Sequence, residues 1–197
     1  SMTRTLLALS FVALGLSSIA VGEDVISDDF SGDALSPSWA AAKGDWKIED
    51  GKLSGAELES DKHAAVLTYK APHHDATGEI KFQLNGSTGF HLSFNHPKGH
   101  LFRIIVSEKS ASLRTDKDKK DPESKSINLN TVEGAFEQGK TYTMNFAMKG
   151  DTASFEFDNG VKVKGSHELL KMEKTGYRLI IKGEGVLFDD FAIHSQE

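Results

Sequence analysis

Residues 79–107, EIKFQLNGSTGFHLSFNHPKGHLFRIIVS, alternate apolar and polar side chains in three runs that short segments with Gly and Asn separate. An alternation with a period of two places the apolar side chains of a strand on one face. Strands that bury one face and expose the other are typical of antiparallel sheets. The stretch therefore predicts three consecutive antiparallel strands.

The last two of these strands form a hairpin whose register two independent rules predict. A three-residue loop, Pro97 to Gly99, pairs like side chains with like across the strands. It also places Gly99 where hairpin loops favour a positive φ. The apolar pairs expected on the core face are Phe94 with Phe102, Leu92 with Ile104, and Phe90 with Val106.

The opposite face of this hairpin is polar. In the predicted register Ser93 lies across from Arg103. His96 is expected to face His100 at the mouth of the loop. The residues of the polar face are His91, Ser93 and Asn95 on one strand, and Ile105, Arg103 and Leu101 on the other.

The same alternation extends over the rest of the chain. DWKIEDGKLSG (45–55) predicts a hairpin around Asp50-Gly51, and HELLKME (167–173) predicts one helical turn in a connection. Because two such sheets bury their apolar faces against each other, we predict an all-β fold, an antiparallel two-sheet β-sandwich of jelly-roll type. Further strands are predicted at 64–70, 111–115, 126–130, 141–149, 152–158, 161–165, 177–183 and 186–195.

The N-terminus has the composition of a secretory signal. Arg4 precedes an uncharged, mostly apolar run of 14 residues, 6–19, and small residues follow. This pattern predicts cleavage after Ala20 or Gly22 and a secreted or periplasmic protein. The run is shorter than the roughly 20 residues of a spanning helix, so no stable membrane span is expected after cleavage.

The domain organisation follows from this interpretation. Residues 1–22 are predicted to be the signal peptide, and Ser1, which stands before Met2, is interpreted as non-native. Residues 23–197 are predicted to form a single β-sandwich domain, since their number suits one hydrophobic core. The chain has no cysteine, so no disulfide can stabilise it.

The charge of the chain restricts its partners. The formal net charge is −6, and lysines alternate with acidic residues along the sequence. Nucleic-acid binding needs a basic face, so no nucleic-acid partner is predicted, and a polyanion is disfavoured for the same reason. The oligomeric state stays open.

His96 and His100 are the candidates for a metal site. A histidine pair can bind Zn²⁺ or Cu²⁺, but a complete site needs a third and a fourth ligand. The segment 73–75, His-His-Asp, could supply them only if its loop folds across. Solvent-facing or packing histidines are the favoured alternative, so no metal and no cofactor are predicted.

Three groups of acidic residues have spacings found in catalytic or calcium sites. Glu156 and Asp158 share a strand face, but Val161 occupies the third position of the E-x-D-x-x-E pattern of one large glucanase family. In FDDF (188–191) the two acids point to opposite faces, so at most one can join a site, and structural calcium there stays an open alternative without support. The third group lacks the central glycine of calcium loops and is diluted by lysines. It consists of Asp116, Asp118 and Asp121.

The polar face of the 89–105 hairpin is the predicted ligand site. Amide, imidazole and guanidinium groups can bind sugar hydroxyls, with an aromatic ring as a platform. Trp39 and Trp46 are candidate platforms, although Trp46 is expected in the core. An ordinary solvated sheet face is the alternative. The predicted binding residues are His91, Ser93, Asn95 and Arg103.

The two ends of the chain carry a family resemblance. DDFSGDALSPSWAAAKGDWKIEDGKLSG (28–55) resembles the opening of concanavalin-like, LamG-like jelly rolls grouped with the 3-keto-disaccharide hydrolase family, where a D-x-F start precedes W-x-x-x-D-G-x-L. GVLFDDFAIHS (185–195) resembles their final strand. Where those hydrolases carry E-x-Q, this chain has residues 100–103, HLFR. It is thus more similar to small exported planctomycete-type members without an assigned function.

These observations predict an exported carbohydrate- or glycoconjugate-binding protein without catalysis. The resemblance implies one alternative, a hydrolase acting on 3-keto glycosides. A structural or adhesive envelope protein is a second alternative. A second carboxylate beside the histidines would favour the hydrolase, because glycoside hydrolysis usually needs two positioned carboxyl groups.

Overall fold

The structure, a computed structural model, describes residues 24–196, so the predicted signal peptide lies outside the described residues. Fifteen strands and two short 3₁₀ helices, Glu59–Asp61 and Glu168–Lys171, make up this part of the chain. The strands are β1 Asp24–Asp28, β2 Trp39–Lys43, β3 Asp45–Glu49, β4 Lys52–Ala56, β5 Ala65–His73, β6 Ala76–Asn85, β7 Gly89–His96, β8 Gly99–Ser107, β9 Ser110–Thr115, β10 Ile127–Glu133, β11 Thr141–Lys149, β12 Thr152–Phe157, β13 Lys162–Ser166, β14 Lys174–Ile181 and β15 Gly185–Ser195.

The strands form two antiparallel sheets, which confirms the predicted all-β sandwich. The eight-stranded sheet has the order β13-β12-β11-β6-β15-β4-β3, with β1 also paired to β15. The seven-stranded sheet has the order β10-β9-β8-β7-β14-β5-β2. Neither helix within residues 24–196 has the length and apolarity that crossing a membrane requires.

The core lies between the sheets and is rich in phenylalanine. Ile80, Phe82 and Leu84 of β6 are fully buried, as their alternation predicts. The Phe82 ring lies 4.8 Å from that of Phe90 in the other sheet, and Phe94 stacks on Phe102 at 4.4 Å. Each large side chain removed from water contributes about 1.5–3 kcal/mol, so this layer holds the two sheets together.

The β7–β8 hairpin has the predicted apolar register but a different loop. The three apolar pairs form as expected, and His91 and Ser93 lie opposite Ile105 and Arg103. The loop, however, contains two residues, because His96 pairs with Gly99. The predicted three-residue loop and the His96–His100 pair are therefore wrong.

A bulge in β8 explains the difference. The register shifts between Phe94 and Asn95, so that Asn95 pairs with His100 and Leu101 is the extra residue. Leu101 is buried in the hydrophobic core, whereas the predicted register would have placed it on the polar face. Burial of this leucine favours the bulge, and the bulge carries His100 to the polar side.

Candidate functional site

The polar face of the seven-stranded sheet consists of two rows of side chains that run across β5, β14, β7, β8 and β9. Direct strand pairing puts each residue beside the next, because antiparallel partners present their side chains on the same face. Strands lie about 4.8 Å apart, so each row is about 19 Å long. The first, the arginine row, is Thr68, Arg178, Ser93, Arg103 and Arg114. The second is Val66, Ile180, His91, Ile105 and Ser112.

Arg103 lies at the centre of this face and is fixed by Asp116. Its Nε donates to Oδ2 of Asp116 at 3.0 Å, and its Nη2 donates to Oδ1 at 2.6 Å. Both side chains are only 11% exposed. Such a bidentate, charge-assisted pair is among the strong hydrogen-bonding arrangements in proteins. Asp116 therefore sets the orientation of the guanidinium group.

His91 is held by the same guanidinium group. Nη1 of Arg103 lies 3.0 Å from Nδ1 of His91. Because a guanidinium group has only donors, Nδ1 must accept, and the ring proton sits on Nε2. Burial, followed by the positive charges of Arg103, Arg114 and Lys182, lowers the pKa of His91 to about 4. The ring is thus neutral at pH 7.

His100 is held by Ser93. Its Nδ1 lies 2.6 Å from Oγ of Ser93, which donates its single proton to Oδ1 of Asn95 at 3.2 Å. Nδ1 of His100 is therefore the donor, and Nε2 remains an acceptor. Burial and the charge of Arg103 lower the pKa of His100 to about 4. The two neutral rings thus differ, with a donor at Nε2 of His91 and an acceptor at Nε2 of His100.

Two adjoining cavities, of about 370 and 610 Å³, lie along the arginine row. They share His100, Arg103, Lys119 and Arg178 and so form one cleft, within the size range of ligand sites. No Phe, Tyr or Trp occurs among the described residues that line it. Its charged residues are Lys43, Lys98, Arg103, Arg114, Lys117, Lys119, Arg178 and Lys182, with Asp116 and Asp118.

The structure brings the four predicted binding residues to this face in two roles. Arg103 lines the cleft, and His91, in the second row, is hydrogen-bonded to Arg103. Ser93 and Asn95 are buried and hold His100. That these residues bind a ligand stays a prediction. The sequence interpretation missed His100, Asp116, Arg114 and Arg178 as members of the face.

His73, from the segment 73–75, does not form a metal site with His96 and His100. His73 is buried, with Nε2 bonded to the hydroxyl of Tyr177 and Nδ1 bonded to the carbonyl of Ala71 at 2.7 Å. Its bonds therefore serve the fold. Across residues 24–196, no three His, Cys, Asp or Glu side chains come close enough together to hold a metal ion.

The remaining acidic candidates lie in local or surface contacts. Asp118 Oδ1 accepts the backbone N–H of Lys120 at 2.9 Å, as expected of a turn. Glu156 forms an exposed ion pair with Lys162 at 3.8 Å, on the eight-stranded sheet. Asp190, from FDDF, pairs with Lys81 on the same sheet. Asp118 alone of these lines the cleft.

Both tryptophans lie away from the cleft. Trp39 is buried in the core, and its Nε1 donates to Oδ2 of Asp28 at 2.9 Å. Trp46 is partly buried against the core, as expected, and its Nε1 donates to the carbonyl of Lys43. Trp39 is therefore a core residue and not a platform for the cleft, since its ring packs inward.

Several solved structures have an architecture similar to that of this chain. A carbohydrate-binding module, CBM66 from Bacillus subtilis, has a TM-score of 0.66 at 13% identity, covering 80% of this chain and 96% of that chain. A Bacillus subtilis protein of unknown function with a galectin-like fold also has a TM-score of 0.66 at 13% identity, covering 89% and 97%. This chain has a jelly-roll fold.

A protein solved with bound oligosaccharides also has a similar structure. LamA from Z. galactanivorans, solved with laminaritriose and laminaritetraose, has a TM-score of 0.62 at 12% identity, covering 89% of this chain and 100% of that chain. No protein-family model and no curated protein matches the sequence. Identities this low show the fold alone, so the resemblance to 3-keto-disaccharide hydrolases stays a prediction.

Proposed function

We propose that the protein binds a carbohydrate or glycoconjugate in the cleft and releases it unchanged. The observation that carries this proposal is the cleft itself, in which Arg103 and the neutral imidazole of His100 are held at fixed orientations by Asp116 and Ser93. Fixed donors and acceptors bind hydroxyl groups without first losing side-chain freedom. The jelly-roll fold, which the carbohydrate-binding module CBM66 also has, is consistent with this use.

Hydrolysis of a 3-keto glycoside is the alternative. Two carboxylates, Asp116 and Asp118, line the cleft. Each oxygen of Asp116 accepts a hydrogen bond from Arg103, and Asp118 Oδ1 accepts one from the backbone N–H of Lys120. A general acid must instead carry a proton toward the leaving group. Binding without turnover therefore suits these contacts better.

A steric block tests the location of the site without changing its charge. Thr68 is a half-buried member of the arginine row that lines the larger cavity. We expect Thr68→Trp to weaken glycan binding by about tenfold or more, because the ring would fill space that a ligand needs. Wild type is first screened on a glycan array, and the affinities are then measured by calorimetry.

The matched control is Thr143→Trp, at a half-buried position on the outer face of the eight-stranded sheet. It should retain wild-type affinity. Equal affinities for the two variants would place the site elsewhere. An array without any bound glycan would favour a structural or adhesive envelope role, and turnover of 3-keto disaccharides would favour the hydrolase.

We also propose that the protein is exported and that cleavage follows Ala20 or Gly22. Support comes from the sequence pattern of residues 1–22. Expression of the chain in a bacterial host, followed by N-terminal sequencing of the periplasmic and medium fractions, tests this. A chain found only in the cytoplasm with residues 1–22 retained would contradict it.

A further inference from the structure

The arginines that the structure describes are concentrated in one place. All three arginines of residues 24–196 belong to the arginine row, as Arg103, Arg114 and Arg178, whereas the lysines are distributed over the whole chain. Arginine presents a planar fork of donors that matches an oxyanion bidentately, which lysine does not. Their alignment on three different strands therefore points to recognition of negative charge.

Only one of the three arginines has a counter-charge. Arg103 is paired with Asp116. The side chains of Arg114 and Arg178 form no hydrogen bond or ion pair with any residue that the structure describes, and Nε of Arg114 is buried without an acceptor. A buried donor without a partner is unfavourable, and an acceptor on a ligand would satisfy it.

The cleft is cationic although the chain is acidic. Eight Lys and Arg side chains line it against two Asp, in a chain with a formal charge of −6. The larger cavity has no acidic residue among those described. Folding thus separates charges that alternate along the sequence, and the expectation that a polyanion is disfavoured does not apply to this face. Such a field attracts anions.

The two cavities of the cleft have no Phe, Tyr or Trp in their described lining on which a neutral sugar ring would stack, and Tyr69 lines only the adjoining cavity beside Thr68 and Arg178. We infer that the ligand is an anionic glycan whose carboxylate or sulfate groups are bound by Arg114 and Arg178, on either side of the Arg103–Asp116 pair. These two residues are three strands apart, about 14 Å. The inference rests on the proposed carbohydrate function.

The test is an array of uronic-acid, sulfated and neutral glycans, followed by calorimetry with the best-bound acidic oligosaccharide. Arg178→Gln should weaken binding by about 10- to 100-fold, because it removes a charge-assisted contact. Arg178→Lys should restore part of the affinity. Lys149→Gln, with the same charge change on the eight-stranded sheet, should bind like wild type. Thermal unfolding of each variant verifies folding.

The control ligand is the same oligosaccharide with its carboxylates esterified or its sulfates removed. The uncharged form should lose most of the affinity. Raising NaCl from about 0.05 M to about 0.5 M should weaken binding of the charged form much more than binding of the uncharged form. Binding of uronates or of sulfated glycans identifies the anion. Neutral glycans bound as tightly as acidic ones, in the cleft that Thr68→Trp blocks, would overturn this inference alone. An array with no bound glycan would overturn the proposed function as well.

Discussion

The outer face of each sheet carries a short ion pair between a Lys or Arg and an Asp, and the two pairs have different surroundings. Arg103 and Asp116 lie 2.6 Å apart and are each 11% exposed. Lys81 and Asp190 lie 2.7 Å apart, but their side chains are 38% and 44% exposed. Water screens the second pair, so it contributes little, whereas the first is largely desolvated. Burial, and not distance, separates a fixed site from an ordinary surface contact.

The same contrast applies to the neighbouring polar groups. On the seven-stranded sheet, Ser93 is completely buried and connects Asn95 with His100. On the eight-stranded sheet, the hydroxyls of Thr152 and Ser166 bond to each other at 2.8 Å at an exposed position. A desolvated network has one favourable arrangement, since any other leaves a buried group unpaired. This is how the seven-stranded sheet orients its side chains for binding.

The largest effect is expected from breaking the buried ion pair. Asp116→Ala leaves the Arg103 guanidinium group without a counter-charge in a poorly hydrated position. We expect the free energy of unfolding to fall by about 3 kcal/mol. Urea unfolding followed by circular dichroism measures it.

Asp190→Asn is the control, because it removes the charge from an ion pair of nearly the same length on the other sheet and keeps a side chain that tolerates the positive φ of this residue. It should be much less destabilising. The double variant Arg103→Met, Asp116→Leu should recover most of the loss, since no buried charge remains unpaired. Equal losses for Asp116→Ala and Asp190→Asn would mean that the two faces do not differ as described.

The sequence predicted the parts of this face that depend on local pairing. The apolar pairs of the β7–β8 hairpin follow from strand alternation alone, and they place Ser93 opposite Arg103. The position of His100 could not be derived in this way. It depends on a bulge that is favoured by burial of Leu101, which is a property of the packed core.

The counter-charge of Arg103 was missed for a different reason. Asp116 was considered with Asp118 and Asp121 as a calcium loop, although its partner lies on the neighbouring strand, 13 residues earlier. Applying the pairing argument to the β8–β9 hairpin would have placed Arg114 beside Arg103. The position of Arg178 cannot be predicted from neighbouring residues, because β14 pairs with β7 from a distant part of the chain.

A smaller effect should appear as a pH dependence of the free energy of unfolding that arises from two histidines of the seven-stranded sheet. Burial and nearby cations lower the pKa of both His91 and His100 to about 4, against 6.5 in an exposed ring. Between these values the unfolded chain binds protons that the folded chain does not, so the free energy of unfolding falls as the pH drops from 6.5 to 4. With partial exposure discounted, we expect a loss of about 1–2 kcal/mol for both rings together.

Urea unfolding at several pH values isolates this contribution when variants are compared with wild type. His100→Gln keeps a side chain that can donate to Ser93 but cannot titrate, so it should remove about half of the loss between pH 6.5 and 4. If His100→Gln kept the full wild-type loss between pH 6.5 and 4, this ring would not be a titrating group. The neutral imidazole assigned to the cleft would then lose its support, because its protonation would no longer oppose folding.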